Sequence, residues 1–481
     1  MFSFQSQSQE IKTELTENQT KNFLDYVERF YLLPRAPYVT SIRKGIIDGK
    51  PTISFREYDA EWKLWVEVTI IGDDPLKIVF TPSDSKLFQT ICRALVNDVR
   101  FHLEGYKEEL RRTTLYFTFL RHPKIVPVRK QSIIARMLGR IFTDSMMNFY
   151  MIFLFIGFFI LYIFLGPYTP IALVAIQFIL VASSDRIMMR LGDWILTPEN
   201  PDVVLLSYQT SREEYAQIVA KHGTKFKEMK EKVYQATLAQ GKEIDCETAR
   251  CVFEQYGIKC FPEKMSVRDL NVYKTASEVA RDFGLKIPKI SIVNTWVPNA
   301  AATGIMSGRS TVLVTSGLLL RLEEAEIRGV LGHELSHVRS HDPLILFALT
   351  SGEYLLRVYF LWQYLFFLGF FYLFIMFTVI FFIGKFLETR ADTESALITK
   401  DPMSLASGLR KIGFRRLYYE QAPSVRLQEW LGWDPHPPLY FRIARLERLP
   451  EKIKHPWIKS IADVFRGFRE ALHGTETYIG R

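Results

Sequence analysis

Residues 322–341 read LEEAEIRGVLGHELSHVRSH, and two of the histidines in it, His333 and His337, lie four apart. On a helix that spacing puts both imidazoles on one face, a turn apart, within reach of a single metal ion. Ile327, Val330, Leu331 and Leu335 provide the apolar face that seats such a helix, expected over Leu322–Ser340. Zinc accepts neutral imidazole nitrogens in tetrahedral geometry. Glu334, beside the first histidine, is placed to act as general base on a water at the metal and to pass the proton to a leaving amine. The pattern therefore predicts one catalytic Zn2+ and hydrolysis of a peptide bond. The bland alternative, two unrelated surface or core histidines, fits the helical setting less well.

A catalytic zinc uses three protein ligands and one open position. Two residues compete for the third place. His341 lies a further turn along, on roughly the same face, but a rigid helix carries it away from the ion. Glu388 opens Glu388-Thr389-Arg390-Ala391-Asp392, an E-x-x-x-D on one helix face. Its carboxylate can bind zinc while Asp392 accepts a hydrogen bond from a ligand imidazole and holds its tautomer. Standing alone, the segment would read as a solvated helix start with paired charges. Following H-E-x-x-H, Glu388 is the stronger of the two.

Two long apolar stretches surround this motif. Met146–Ser184 carries no charge and is about twice as long as a bilayer core is thick. Gly166-Pro167-Tyr168-Thr169-Pro170 interrupts it, and two prolines so close cannot continue a helix. The expectation is a hairpin of two spans, near Phe149–Leu165 and Ile171–Met188. Pro343–Gly384 has room for two more, with Glu353 and Arg357 four apart and able to pair. Two crossings would return the chain to the side of His337, as a shared metal site with Glu388 requires. Arg129, Lys130, Arg136 and Arg140 precede the first stretch, Arg186 and Arg190 follow it, and Lys385 and Arg390 follow the second. The positive-inside rule then places the termini and the active site in the cytoplasm, in a protein of the cell membrane.

The rest of the chain narrows the class. The 481 residues allow two or more folded units, and 48% are hydrophobic and 14% aromatic. The net charge of +9 occurs without a run of five or six like charges, and no zinc-finger or RNP-type motif is present. A lipid bilayer therefore fits as partner and nucleic acid does not. Met1–Thr20 has no apolar run followed by small residues, so membrane entry is expected through internal segments. The cysteines Cys92, Cys246, Cys251 and Cys260 lack paired C-x-x-C spacing and read as reduced thiols of an intracellular domain. Trp62–Ile71 and Lys77–Thr81 read as strands, and Ser85–His102 as a helix. Gln131–Met147 is a basic amphipathic segment that fits a membrane surface and an ordinary helix ahead of the first span equally well. Ser211–Gln240 reads as one long helix and Asp245–Tyr256 as another, capped by Asp245. Lys289–Asn294 and Thr311–Thr315 read as short strands.

Over Lys274–Leu449 the sequence resembles the M48 peptidases, the family that contains the bacterial membrane protease HtpX and the CAAX prenyl proteases. Asn299-Ala300-Ala301-Ala302-Thr303-Gly304 is similar to the family's N-A-F-A-x-G strand, with Ala in place of the aromatic. Val312–Leu320 and Glu324–His337 resemble its strand and H-E-x-x-H run, and Glu388–Asp392 its third-ligand motif. His436-Pro437-Pro438 with Arg442, Ile443 and Leu446 resembles its closing motif. The resemblance implies that His436 and Arg442 steady the substrate carbonyl or oxyanion, and that Asn299, Ala300 and Ala302 bind substrate backbone along an edge strand. Without it, His436 is a surface-loop histidine and Arg442 a helix salt bridge.

The resulting expectation is an α+β, mainly α, integral membrane protein. It has about four transmembrane helices, a gluzincin-type peptidase domain and an α+β N-terminal soluble domain. The boundaries are 1–140 for the N-terminal domain, 146–190 for the first hairpin and 343–385 for the second. The peptidase domain occupies 197–342 and 386–481. Four spans resemble the HtpX branch more than the seven-span prenyl-protease branch. The resemblance implies an endopeptidase that clears misfolded or membrane proteins. A membrane scaffold is the alternative from another class, but a scaffold would be expected to have lost Glu334 or a ligand. A transporter is disfavoured by the few intramembrane charges and the lack of a repeat.

Overall fold

The computed structural model describes residues 7–36, 38–59, 64–82, 88–121, 146–420, 422–450 and 452–473. Arg129, Lys130, Arg136, Arg140 and residues 131–145 of the basic amphipathic segment lie outside them. The chain forms two compact units, dividing at Thr114 and Leu115.

The first unit runs β1 (Gln7–Ile11), α1 (Glu17–Val27), β2 (Val39–Ile47), β3 (Lys50–Asp59), β4 (Leu64–Ile71), β5 (Leu76–Pro82) and α2 (Phe88–Arg112). Its strands form one antiparallel sheet in the order β1-β5-β4-β3-β2. Alternate side chains, Ile53 and Phe55, then Val66, Val68 and Ile70, then Ile78 and Phe80, are buried on one face. That period of two is why these residues form strands. Phe23, Leu24 and Val27 of α1 and Leu95, Val99 and Leu103 of α2 complete the core. Thr16 and Gln19 close a capping box at the start of α1.

The N-terminal region was expected to reach residue 140, but the first unit stops at Thr114. β6 (Thr114–Leu120) joins β8 (Val203–Gln209) and β9 (Met265–Leu270) of the second unit and buries Leu115, Phe117 and Phe119 there. A strand belongs to whichever sheet completes its hydrogen bonds, which its sequence does not state.

The second unit continues with α3 (Met146–Leu165), α4 (Thr169–Ala182), α5 (Ser184–Leu191), β7 (Trp194–Leu196), β8 (Val203–Gln209), α6 (Arg212–His222), α7 (Phe226–Ala236), α8 (Cys246–Gln255), β9 (Met265–Leu270) and α9 (Val272–Asp282). Then come β10 (Lys289–Val293), β11 (Ala300–Met306), β12 (Arg309–Thr315), α10 (Ser316–Arg321), α11 (Glu324–Arg339), α12 (Asp342–Leu356) and α13 (Leu365–Thr399). The chain closes with α14 (Pro402–Ile412), α15 (Phe414–Tyr419), α16 (Pro423–Leu431), α17 (Leu439–Glu447) and α18 (Pro456–His473).

Three helical stretches among the described residues are long and apolar enough to cross a membrane: Ile156–Ala182, Asp342–Leu361 and Gly369–Thr399. The first includes part of α3 and all of α4, joined by a 3-10 turn at Gly166–Tyr168. Gly166 has φ 51° there, a conformation that glycine adopts without the cost of a Cβ. The 14 residues of α4 give about 21 Å of helix, less than the roughly 30 Å of a bilayer core. α4 lies antiparallel to α12: Phe178 and Phe347 are 5.7 Å apart, and Tyr359 donates to the carbonyl of Pro167 at 2.6 Å.

α13 has 35 residues, about 50 Å of helix. It is uncharged up to Gly384 and then continues into the peptidase region. There it packs on α11, and Gly332 allows the approach: a Cβ on it would meet Ser395 Oγ at 2.6 Å. Ile327, Val330, Leu331 and Leu335 of α11 are buried as their spacing requires, in the core beneath the sheet β11-β12-β10-β7. β11 is the edge of that sheet, paired on one side only, with β12.

Two further expectations change. Ser211–Gln240 is not one helix, since α6 and α7 are separated by a 3-10 turn at Gly223–Lys225. Cys246 and Cys260 form a disulfide rather than remaining thiols. The chain doubles back after α8 and brings their Cα atoms to 5.5 Å, which spacing in sequence does not reveal. Cys92 and Cys251 are free.

Candidate functional site

α11 carries His333 and His337 on one face, and the end of the long α13 brings Glu388 against them. His333 Nε2 is 3.2 Å from Glu388 Oε2, His337 Nε2 is 3.3 Å from Glu388 Oε1, and the two Nε2 atoms are 3.2 Å apart. One ligand atom from each of the three residues lies within 4.8 Å of the others. His341, the competing third ligand, is not in this cluster. α11 ends before it, and His341 adopts a left-handed conformation (φ 57°) that starts α12 with an exposed side chain.

The far nitrogen of each ring faces an aspartate. His333 Nδ1 approaches Asp392 Oδ1 at 2.9 Å, a close contact without good hydrogen-bond alignment. His337 Nδ1 is 2.6 Å from Asp342 Oδ2. Each aspartate is held in turn by an arginine. Arg442 grips Asp392 through Nε and Nη2 at 2.9 and 2.8 Å, and Arg390 donates to Asp342 at 2.6 Å. Arg390 is fully buried, over the ring of Trp457.

These residues suit a divalent cation. Burial pushes the His337 imidazole down most strongly, but Glu388, Asp342 and Glu334 together outweigh it and raise the group to about 10. His333 is raised against its burial in the same way. Glu388 Oε2 is buried without a hydrogen-bond partner. The centre of the cluster thus calls for positive charge, and two imidazoles with one carboxylate are a zinc donor set.

Around the cluster, Glu334 Oε2 accepts the N–H of Ala302 on β11 at 2.9 Å, which ties the H-E-x-x-H helix to the edge strand. Ala300 opens β11. Asn299, just before it, is exposed and donates its backbone N–H to Thr315 Oγ1. His436 is half-exposed, its Nδ1 2.9 Å from Asp434 Oδ1 and its Nε2 3.8 Å from Glu388 Oε2. It is therefore a tethered histidine facing the cluster, not a loose loop residue. Arg416 pairs with Asp434 at 2.9 Å, and the buried Lys385 donates to the carbonyls of Gly432 and Asp434. Arg442 spends two donors on Asp392, and its Nη1 stands 3.7 Å from Glu388.

Sequence reasoning missed Asp342, Arg390, Lys385 and Asp434. The only signal for Asp342 was an acid five residues past His337, ahead of Pro343 at the first turn of a helix.

A metal-ligand set shared by two helices beside an edge strand, on a frame with membrane-length helices, defines a membrane-associated metallopeptidase. Residues 266–449 match the model of peptidase family M48. The chain is 30% identical to "Protease HtpX homolog 2" of Methanosarcina acetivorans over 206 residues, 34% of this chain and 68% of that one. It is 31% identical to "Protease HtpX homolog" of Caldanaerobacter subterraneus over 223 residues, covering 39% and 73%. A shorter match, 45% identical over 83 residues, links it to "Protease HtpX homolog" of Pyrococcus abyssi, covering 17% and 29%. The chain belongs to the M48 family and is HtpX-like.

Proposed function

We propose that the protein is a membrane-bound zinc-dependent endopeptidase that hydrolyses membrane or misfolded proteins. The observation that carries this reading is the convergence of His333, His337 and Glu388 within 4.8 Å, with an aspartate behind each imidazole. His333, His337 and Glu388 would hold zinc, which would supply a Lewis acid that acidifies water and polarises a carbonyl.

The chain's own residues do the rest. Substrate backbone pairs along the open edge of β11, and Asn299 stands at the entry to that strand. Binding frees Glu334 from the Ala302 N–H. The Glu334 carboxylate then takes the proton of the attacking water and delivers it to the leaving nitrogen. His436 donates Nδ1–H to Asp434 and, with the ring protonated, donates Nε2–H to the developing oxyanion, while Arg442 Nη1 adds positive charge from behind Glu388. Asp342 and Asp392 keep the imidazoles oriented with Nε2 toward the metal. The active site faces the cytoplasm.

The test is cleavage of casein by detergent-purified protein in zinc buffer, wild type against Glu334→Gln. Wild-type cleavage is expected, with a loss of about 10²-fold or more in the variant at unchanged zinc content. Equal cleavage by both would remove Glu334 from the chemistry. Cleavage by neither would turn attention to a scaffold role.

A further inference from the structure

The C-terminal helix α18 has three faces rather than two. Ser460, Asp463, Val464 and Gly467 are buried against the protein. Asp463 pairs with the buried Arg445 at 2.8 Å, so the helix is anchored largely by small and polar residues. Its large apolar residues lie elsewhere. Trp457, Ile461, Phe465, Phe468 and Leu472 recur at intervals of three or four and form one stripe beside the buried face. Trp457 and Ile461 are each 43% exposed, Leu472 52% and Phe465 60%. The third face is basic: Arg466 and Arg469 flank the stripe, and exposed Lys452 and Lys454 precede the helix.

The stripe is continuous with the surface of α13. Phe465 and Phe468 lie 5.4 and 5.7 Å from Phe382, and Trp457 lies 5.5 Å from Phe386. Phe382 sits two residues before Gly384, where the uncharged run of α13 ends. α18 therefore meets the spanning helix at the level where hydrocarbon gives way to headgroups. Trp433, half-exposed, reaches the same helix deeper, 5.3 Å from Phe377. Indole rings favour this boundary, and basic side chains beside an apolar stripe favour anionic headgroups.

We infer that α18 is an interfacial membrane helix, its Trp457–Leu472 stripe buried at the acyl–headgroup boundary and its Arg466 and Arg469 on anionic lipid. The helix sets the depth of the peptidase site together with Trp433, which lies three residues before His436 and packs on the same spanning helix just deeper than this boundary.

The test uses the full chain with Cys92 and Cys251 replaced by alanine, in nanodiscs of phosphatidylcholine and phosphatidylglycerol. A nitroxide is attached at Ile461→Cys, Phe465→Cys, Ala462→Cys or Arg466→Cys, one at a time. Accessibility to oxygen and to a water-soluble nickel chelate is then compared. Oxygen is expected to dominate several-fold at 461 and 465, and the chelate at 462 and 466. Dominance of the chelate at 461 and 465 would overturn the inference. Exclusion of both reagents there would also overturn it, since protein, such as a second copy, would then cover the stripe. If a label at Phe465 disturbs its packing on Phe382, Ile458→Cys and Leu472→Cys report on the same face from more exposed positions.

Discussion

Asp342 reaches the His333–His337–Glu388 cluster through a single contact, the 2.6 Å bond between its Oδ2 and His337 Nδ1, and Arg390 donates to that same oxygen. Among the described residues, the other oxygen of Asp342, and Nε and Nη1 of Arg390, have no hydrogen-bond partners, so the pair's contact serves to position the imidazole. A buried charge kept at that cost orients what it touches. Asp342→Ala is expected to weaken zinc binding about 10–100-fold, read by competition with a chelator, while the circular dichroism of the protein stays unchanged. Asp342→Asn, which keeps an acceptor near Nδ1, should lose less. Equal affinities for wild type and Asp342→Ala would leave the aspartate a packing role only. His333 has its counterpart in Asp392, and the symmetry explains why two arginines are buried beside one metal site.

α11 and α13 meet closely enough to bring His333 Nε2 and Glu388 Oε2 to 3.2 Å, and Gly332, without a side chain, allows that approach. Gly332→Ala puts a methyl 2.6 Å from Ser395 Oγ, whose hydroxyl also bonds the carbonyl of Gly329 at 2.7 Å. The expected cost is about 1–3 kcal/mol, seen as a lower thermal midpoint, and the added Ser395→Ala should recover part of it. In α2 of the N-terminal unit, His102 packs against Tyr31 and Phe101. Burial first, and Arg35 second, lower its pKa from 6.5 to about 4. The unfolded chain therefore binds the proton more readily across that window, and the unit's stability should rise with pH from about 4 to 6.5. Asp98, raised by burial, acts in the opposite sense at the lower end. His102→Gln removes the histidine's share alone. Hydrogen exchange of the β3–β5 amides in the full chain, corrected for intrinsic rates, should lose that part of the slope in the variant.

For the molecule as a whole, orientation in the membrane rests on fewer charges than the sequence offered. Arg186 and Arg190 are exposed after the first hairpin, whereas Lys385 and Arg390 are buried and serve the site. The proposed placement of the peptidase region inside then rests on this exposed pair. The exposed Cys251 should therefore resist a membrane-impermeant maleimide in intact cells and react after lysis; labelling of intact cells would reverse the orientation.

Read by itself, the sequence determines that His333 and His337 share one face of α11 and that the chain breaks at Gly166, because these depend on a helical period and a local conformational preference; the edge strand at Ala300 is legible only through the family resemblance. The place of Glu388 follows nearly as well, since a shared metal requires an even number of crossings. Only the tertiary structure decides that β6 leaves the N-terminal unit, that Cys246 meets Cys260, that Asp342 stands behind His337, and that α18 turns its aromatic stripe outward. Asp342 and Arg390 are 48 residues apart, joined across two packed helices. Such meetings are set by how closely whole elements approach, and no period along the chain records that distance.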